Sequence, residues 1–107
     1  MIYSIEELKE RIAPVAQKYS IPAVYIFGSY ARGEATDDSD VDVLIKREGS
    51  KIHGFIMGAL HNDLCAELKK NVDLVTTEAL EQDDVLRRTP WLVENLLKER
   101  VAIYEGQ

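Results

Sequence analysis

The sequence predicts a small α/β domain, α+β in the stricter sense, in which helices flank a mixed sheet. Stretches with apolar residues at helical spacing alternate with short β-rich runs, which predicts alternating helices and strands. The 107 residues, 46% of them hydrophobic and 30% charged, suffice for one hydrophobic core and are too few for two. We therefore expect a single domain over residues 1–107.

An amphipathic helix is predicted at the start of the chain. Ser4 and Glu7 form a capping-box pattern. Helical spacing then relates Ile5, Leu8, Ile12, Val15 and Tyr19. Pro14 lies inside this segment, where it removes a backbone hydrogen bond and crowds the preceding turn, so we expect a kink or a restart there. Ile21-Pro22 ends the helix and leads into a strand.

Two β-rich runs follow, separated by a polar segment. Residues 23–28, AVYIFG, predict a buried strand that enters a turn at Gly28-Ser29, and residues 29–39 are small and polar, as in a loop. Residues 40–46 alternate in character and predict a second strand. Its two faces carry Val41, Val43 and Ile45 on one side and Asp40, Asp42 and Leu44 on the other. One face of this strand is therefore acidic.

The second half of the chain predicts the remaining elements. They are a turn over residues 47–51, a helix over 52–70, a strand over 71–77, a short helix or irregular turn over 78–89, a helix from Pro90 to Arg100 and a closing strand over 101–105. The first of these helices has a buried stripe formed by Ile56, Leu60, Leu64 and Leu68. Asp73 interrupts the apolar strand at 71–77, as Asp42 interrupts the earlier one.

The net charge of −6 argues against extended binding to duplex DNA or RNA, which relies on cationic side chains that displace counterions. A small phosphate ligand stays compatible with this charge, because a metal ion can reverse the local field. Cys65 has no cysteine partner, and the chain opens without a leader pattern. No apolar stretch reaches the roughly 20 residues of a membrane span. We expect a soluble, cytoplasmic protein with no nucleic-acid or membrane partner.

The carboxylates of the second and third β-rich runs predict a metal site. Asp40 and Asp42 leave the same face of a strand roughly 7 Å apart at the backbone, and their repulsion costs stability unless a cation lies between them. Oxygen ligands of this kind suit Mg²⁺ or Mn²⁺. If the strand of Asp73 pairs beside theirs, three acids converge. Such a set can hold the two metal ions of phosphoryl or nucleotidyl transfer.

Gly28, Ser29 and Arg32 are candidate phosphate-binding residues. A turn at Gly28-Ser29 can present backbone N–H groups and a hydroxyl to a phosphate, and glycine permits close approach. The planar guanidinium of Arg32 suits a polyphosphate oxygen. Each feature also has a structural interpretation, since Gly-Ser is common in turns and Arg32 is compatible with a plain surface charge.

Several other polar and aromatic residues are interpreted structurally. A lone Asp-x-Asp is common, and Asp37 and Asp38 in the acidic loop fit solvated surface. His61 has no partner at zinc spacing and is expected to be a surface or helix residue. Cys65 and Trp91 are expected to pack in the core.

Taken together, these residues make the chain resemble the minimal nucleotidyltransferases (MNT) of the polymerase-β-like superfamily. That family carries Gly-Ser, ten residues and then Asp-x-Asp, and here Gly28-Ser29 is followed by residues 30–39 and by Asp40-Val41-Asp42. Asp73, in the segment VDLV, falls where the third acidic residue of the family occurs. The resemblance covers nearly the whole chain, and the combined motif is specific.

The resemblance implies the polymerase-β-like nucleotidyltransferase fold and a defined chemistry. It implies Mg²⁺, two ions in all, held by Asp40, Asp42 and Asp73. It places the phosphates of ATP near Gly28 and Ser29, and it gives Asp73 a part in activating the acceptor hydroxyl. The acceptor oxygen attacks the α-phosphorus, and pyrophosphate leaves.

The resemblance also implies a partner protein. Larger relatives add a helical domain that helps to hold the acceptor, and this chain is expected to need that part from elsewhere. Short members are similar to antitoxins paired with HEPN ribonuclease toxins, which they silence by adding AMP to a toxin tyrosine; this is the leading hypothesis. Two alternatives stay open: a non-catalytic antitoxin that occludes its toxin, and a nucleotidyltransferase for an aminoglycoside-like small molecule.

Overall fold

The computed structural model describes residues 2–46, 55–77 and 98–105, together with Trp91 and Glu94. In chain order its elements are α1 (Ile5–Lys18), β1 (Ala23–Phe27), α2 (Ser29–Arg32), β2 (Val41–Lys46), α3 (Phe55–Leu68), β3 (Val72–Thr76) and β4 (Val101–Glu105). The predicted strands, including the closing one, are therefore confirmed. The turn predicted at 47–51, the segment predicted at 78–89 and most of the helix predicted from Pro90 lie outside the described residues.

The four strands form one mixed sheet in the order β3-β2-β1-β4. β1 is antiparallel to both β2 and β4, whereas β2 and β3 run parallel. A parallel pair needs a crossover connection, and the chain between β2 and β3 includes α3. The prediction of a mixed sheet flanked by helices is therefore confirmed.

The main hydrophobic core lies between α1, α3 and one face of the sheet. We call this side the core face; its buried strand residues are Val24, Ile26, Val41, Val43, Ile45, Val72 and Ile103. The helices contribute Leu8, Ile12 and Ala16 from α1 and Leu60, Leu64 and Leu68 from α3. Ile56 and Cys65 are partly buried against the same cluster, which confirms the predicted stripe on α3 and the packing of the cysteine.

The first helix begins as predicted, runs without a break past Pro14 and ends at Lys18, shortly before the end predicted at Ile21-Pro22. The Ser4 hydroxyl accepts from the Glu7 amide, and the Ser4 amide donates to the Glu7 carboxylate, both at 3.1 Å. α1 is unbroken through Pro14, so no restart occurs. Pro14 removes the partner of the Glu10 carbonyl, but both residues are exposed, and water can satisfy that carbonyl.

The segment 29–39 contains a short helix that the sequence did not predict. α2 (Ser29–Arg32) is separated from β1 only by Gly28, and its C-cap is Gly33, whose φ of 74° suits a glycine. The ring of Tyr30 is only 5% exposed and belongs to the main core. Burial of this one aromatic side chain stabilises a helical turn inside a segment whose other residues are small and polar.

Two further expectations need correction. Asp40 was predicted to lie inside the second strand, but β2 begins one residue later, at Val41. Trp91 was predicted to pack in the core, yet its side chain is 61% exposed. Within the described ranges, no helix is both long and apolar enough to cross a membrane.

Candidate active site

The face of the sheet opposite the core carries a row of acidic side chains; we call it the site face. Directly opposed residues of neighbouring strands point to the same side of a sheet. Asp42 on β2 is opposed by Phe27 on β1 and by Asp73 on β3. The core-face residues of β2 alternate with Asp42, so Asp42 and Asp73 project together from the other side. The predicted pairing of the two acidic strands is therefore confirmed.

Asp40 joins this pair from just outside β2. The alternation of β2, continued by one residue, places Asp40 on the same side as Asp42. The amide of the next residue, Val41, donates to the Asn71 carbonyl at 3.1 Å, and this bond fixes the start of the strand. We refer to Asp40, Asp42 and Asp73 as the carboxylate row. Asp40 and Asp73 are exposed, and Asp42 is half-buried.

The three charges of the carboxylate row act on one another. The pKa of the Asp42 carboxyl is raised above its ordinary value, first by partial burial and then by the negative charges of Asp73 and Asp40. The positive charge of Arg32 opposes this rise and shows that Arg32 lies within electrostatic reach of Asp42. The ionised form of Asp42 is therefore less favourable in the folded protein than in an exposed aspartate, and a bound cation would offset this cost.

Gly28 packs its backbone directly against Asp42. Its φ of 71° and ψ of −148° lie in a region that side chains with a Cβ rarely adopt. A Cβ built on Gly28 would collide with the Asp42 carboxylate oxygen and would lie 3.1 Å from its Cγ. Glycine is needed here for two reasons, the backbone conformation and the close approach of a carboxylate. The sequence motif had suggested only the close approach of a phosphate.

Ser29 and Arg32 occupy the two ends of α2. The Arg32 guanidinium donates to Glu34 at 3.3 Å and to Glu99 at 3.2 Å, and these carboxylates raise the pKa of Arg32. All three side chains are about 40% exposed or more, so the ion pairs are of the weak, surface type. Arg32 thus has carboxylate partners already, and contact with a phosphate requires that it exchange them.

The donor chemistry of the carboxylate row fits a hard divalent cation. Carboxylate oxygens are the preferred protein ligands of Mg²⁺, and its charge would offset the repulsion that raises the pKa of Asp42. Within the described ranges, no three side chains of the metal-binding types have already converged into a metal cluster. The structure thus places three suitable donors at one end of the site face without closing them into a shell.

Sequence reasoning did not connect two residues beside the carboxylate row with the candidate site. His61, on α3, donates from Nε2 to the Val72 carbonyl at 2.8 Å, directly before Asp73. Lys70, in the connection between α3 and β3, donates to the Asp37 carbonyl at 2.7 Å. Neither contact has a local sequence signal, because each joins residues that only the fold brings together.

Comparisons with known proteins agree with the fold. A family model described as polymerase beta, nucleotidyltransferase matches residues 10–105. A Methanocaldococcus jannaschii protein, provisionally named protein adenylyltransferase MJ0435, is 32% identical over 101 residues, or 94% of this chain and 98% of the relative. The protein adenylyltransferase MntA of Thermococcus cleftensis is 39% identical over 77 residues, or 71% of this chain and 69% of the relative.

Solved structures share the fold at lower identity. One is a complex of a tri-AMPylated Shewanella oneidensis HEPN toxin with an MNT antitoxin, matched with a TM-score of 0.64 and 17% identity over 96% of this chain and 74% of that chain. The likeness there shows the fold alone, whereas the family model spans nearly the whole sequence. The chain therefore belongs to the polymerase beta nucleotidyltransferase family.

Proposed function

We propose that this protein is a Mg²⁺-dependent protein adenylyltransferase that transfers AMP from ATP to a tyrosine hydroxyl of a HEPN-type toxin, and so acts as an antitoxin. The observation that carries the proposal is the parallel register that sets Asp73 beside Asp42, with Asp40 one residue before the same strand. Family membership supports nucleotidyl transfer, and the adenylyltransferase names of the relatives support AMP as the group transferred.

In this proposal the carboxylate row holds the divalent ions, two in number. When bound, these ions supply positive charge to the phosphate oxygens and lower the barrier to displacement at phosphorus. The exposed carboxylate of Asp73 accepts the proton of the acceptor hydroxyl. The acceptor oxygen then bonds to the α-phosphorus, the bond to the bridging oxygen breaks, and pyrophosphate leaves with that oxygen.

Gly28, Ser29 and Arg32 form the proposed phosphate side of the site. Gly28 lies against Asp42, so a phosphate near Gly28 is also near the carboxylate row. Ser29 starts α2 at the same place and offers a hydroxyl. Arg32 lies within electrostatic reach of Asp42 and can exchange its surface partners for a phosphate oxygen. These three residues orient the triphosphate toward the carboxylates.

The proposed partner is a HEPN toxin, bound as a hetero-oligomer. A structural neighbour comes from a complex between a tri-AMPylated HEPN toxin and an MNT antitoxin. The net charge of −6 complements a basic, RNA-binding partner and speeds encounter with it. A cytoplasmic location remains a prediction.

The proposal is tested by incubating the protein with labelled ATP, Mg²⁺ and the protein encoded by the neighbouring gene, which the proposal expects to be a HEPN-type toxin. We expect label on the partner, and mass spectrometry should place added AMP on a tyrosine. Asp73→Asn removes one carboxylate of the row and should abolish transfer. Asp38→Asn is the matched control, because Asp38 is an exposed acid of the loop before the row and should transfer AMP like the wild type.

A non-catalytic antitoxin gives a different result in the same experiment. If the partner stays unlabelled, and Asp73→Asn still neutralises it as well as the wild type does, occlusion replaces transfer as the mechanism. Label on an added aminoglycoside, with none on the protein partner, would instead identify a small-molecule nucleotidyltransferase.

A further inference from the structure

The connection between α3 and β3 touches both chain neighbours of Asp40. Lys70 and Asn71 are consecutive in this connection, directly before β3. The Asn71 carbonyl accepts from the Val41 amide at 3.1 Å, on the C-terminal side of Asp40. The Lys70 ammonium lies 3.4 Å from the Ser39 carbonyl, on the N-terminal side. Asp40 is therefore held from both sides by two adjacent residues of one short segment.

Lys70 is hydrogen-bonded to a turn, residues 36–39, that is itself closed by hydrogen bonds. Its ammonium donates to the Asp37 carbonyl at 2.7 Å, a charge-assisted bond. The turn is closed by the Ser39 amide, which donates to the Thr36 carbonyl at 3.0 Å, and by the Thr36 amide, which donates to the Ser39 hydroxyl at 2.9 Å. A cation attached to this turn fixes the backbone from which Asp40 projects.

The connection is itself anchored at both ends. The Tyr3 hydroxyl donates to the Leu68 carbonyl at 2.6 Å, where α3 ends. His61 donates to the Val72 carbonyl at 2.8 Å, where β3 begins. The backbone of Lys70 therefore lies between two fixed points, and its ammonium is held near the turn.

These contacts link the positions of two carboxylates that lie far apart in the sequence. Asp73 lies three residues after Lys70 in the sequence. The first residues of β3, Val72 and Asp73, pair with the first residues of β2. Asp40 is exposed and precedes β2, so the sheet alone does not restrain it. Repulsion from Asp42 and Asp73 opposes a close approach of the Asp40 carboxylate, and the contacts of Lys70 and Asn71 with the neighbouring backbone limit how far Asp40 can move away.

We propose that Lys70 is a positioning residue that sets the Asp40 carboxylate at the distance from Asp73 that a shared divalent ion requires. This inference rests on the proposed function, because it assumes that the carboxylate row holds Mg²⁺. Lys70 acts through the carbonyls of Asp37 and Ser39 and touches neither substrate nor ion. Its loss weakens Mg²⁺ binding without removing any ligand.

A plainer role for Lys70 is that of a cation near the C-terminal end of α3, where positive charge is favourable. Lys69 serves as the matched control for that role. It carries the same charge at the same helix end, it is exposed, and its φ of 54° is equally unsuited to lysine and to methionine. If helix-end charge is all that matters, substitution of either lysine has the same effect.

The test is a calorimetric titration of Mg²⁺ into the full-length protein with a non-hydrolysable ATP analogue, together with the melting temperature in ion-free buffer. Lys70→Met should raise the Mg²⁺ concentration for half-maximal nucleotide binding about tenfold, as loss of a residue that orients a metal ligand does. Lys69→Met should stay within about twofold of the wild type. Lys70→Arg keeps a cationic donor and should restore most of the affinity. Melting temperatures should be similar throughout.

The outcomes separate the failure of this inference from the failure of the proposed function. If the wild type binds the analogue with Mg²⁺ and Lys70→Met behaves like Lys69→Met, the positioning role is wrong and the proposed function stands. A lower melting temperature with an unchanged Mg²⁺ requirement also overturns it in favour of a structural role. If Lys70→Met does not fold, Lys70→Gln is measured by the same criteria. If the wild type shows neither Mg²⁺-dependent binding nor transfer, both proposals fall.

Discussion

The two faces of β2 differ in what they contribute to this protein. Val41, Val43 and Ile45 are 0% exposed on the core face, where they pack against α1 and α3. Asp42, between two of them, projects to the site face and is only half-buried. Neighbouring residues of the strand thus differ in their effect on stability: burial of the valine side chains stabilises the fold, whereas an ionised Asp42 destabilises it. The proposed chemistry depends on the face that carries Asp42.

The two faces of β2 do not differ simply in their exposure to solvent. Leu44 lies on the same side of β2 as Asp42, yet it is fully buried and does not belong to the main core cluster. Opposite Leu44 on β1, Tyr25 is half-buried under the Arg100 guanidinium, which lies 4.4 Å from the ring centroid. The site face is therefore acidic at one end and apolar further along. Charge is concentrated where β1 ends and β2 begins.

Substitution of Asp42 by asparagine should have the largest effect on activity. The amide keeps the shape of the side chain and removes a charge from the carboxylate row, so AMP transfer should fall about a thousandfold, equivalent to about 4 kcal/mol of transition-state stabilisation. Quantitative transfer assays at saturating Mg²⁺ would measure this loss. Activity within tenfold of the wild type would show that Asp42 is not part of the transfer machinery.

Substitution of Ile45 by alanine should have the largest effect on stability. Ile45 is on the same strand, is 0% exposed and points to the core face, so its truncation leaves a cavity and should cost about 3 kcal/mol. Chemical denaturation would measure the loss. At temperatures where Ile45→Ala is folded, its Mg²⁺-dependent nucleotide affinity should match that of the wild type. A loss of affinity there would show that the two faces are coupled.

Substitution of Gly28 by alanine should affect both properties, and Gly33 provides the control. Both glycines have positive φ, but Gly33 is in the left-handed helical region, where alanine costs about 1 to 2 kcal/mol of stability, whereas Gly28 has a ψ of −148°, close to a region restricted almost entirely to glycine, where the backbone cost of alanine is about 1 to 3 kcal/mol. At Gly33 the new Cβ has open space, whereas at Gly28 it collides with the Asp42 carboxylate. Gly28→Ala should therefore be the less stable variant and should also lose nucleotide affinity.

Denaturation and nucleotide binding of the two glycine variants, measured side by side, test for the combined cost of the Gly28 backbone conformation and the collision. Equal losses in both variants would mean that the contact between Gly28 and Asp42 is of no consequence for the site.

The smallest expected effect is a gain in stability for Asp42→Asn without metal. The pKa of Asp42 is raised in the folded protein, so protonated Asp42 favours folding, and that contribution is lost as the pH rises through the folded-state value. At pH 7 in ion-free buffer, Asp42→Asn should melt above the wild type. The difference should vanish as the pH falls below the ordinary aspartate value of 3.8.

Thermal scans across this pH range, with and without Mg²⁺, would measure the effect. Mg²⁺ should raise the melting temperature of the wild type, by linkage of binding to folding, and should raise that of Asp42→Asn much less. A variant that melts below the wild type at pH 7 would contradict the repulsion seen in the carboxylate row.

The periodicity of the sequence was sufficient to predict most elements and the acidic residues of the site. Alternation over residues 41–46 and the fourfold stripe on α3 are local patterns, and each is visible within one element. The motif from Gly28 to Asp42 likewise lies in one short stretch of chain. Even so, α2 was missed, because its burial depends on Tyr30 entering a core that other segments build.

Local patterns of this kind determine which residues are candidates for the site, because spacing along one strand or helix decides which face a side chain occupies. Only the tertiary structure decided how they meet. The parallel register of β2 and β3 sets Asp73 beside Asp42. Glu99 forms an ion pair with Arg32, and Lys70 donates a hydrogen bond to the turn before Asp40. Each of these contacts joins segments separated by about 30 residues or more, and such distances depend on the packing of the whole chain rather than on any local preference.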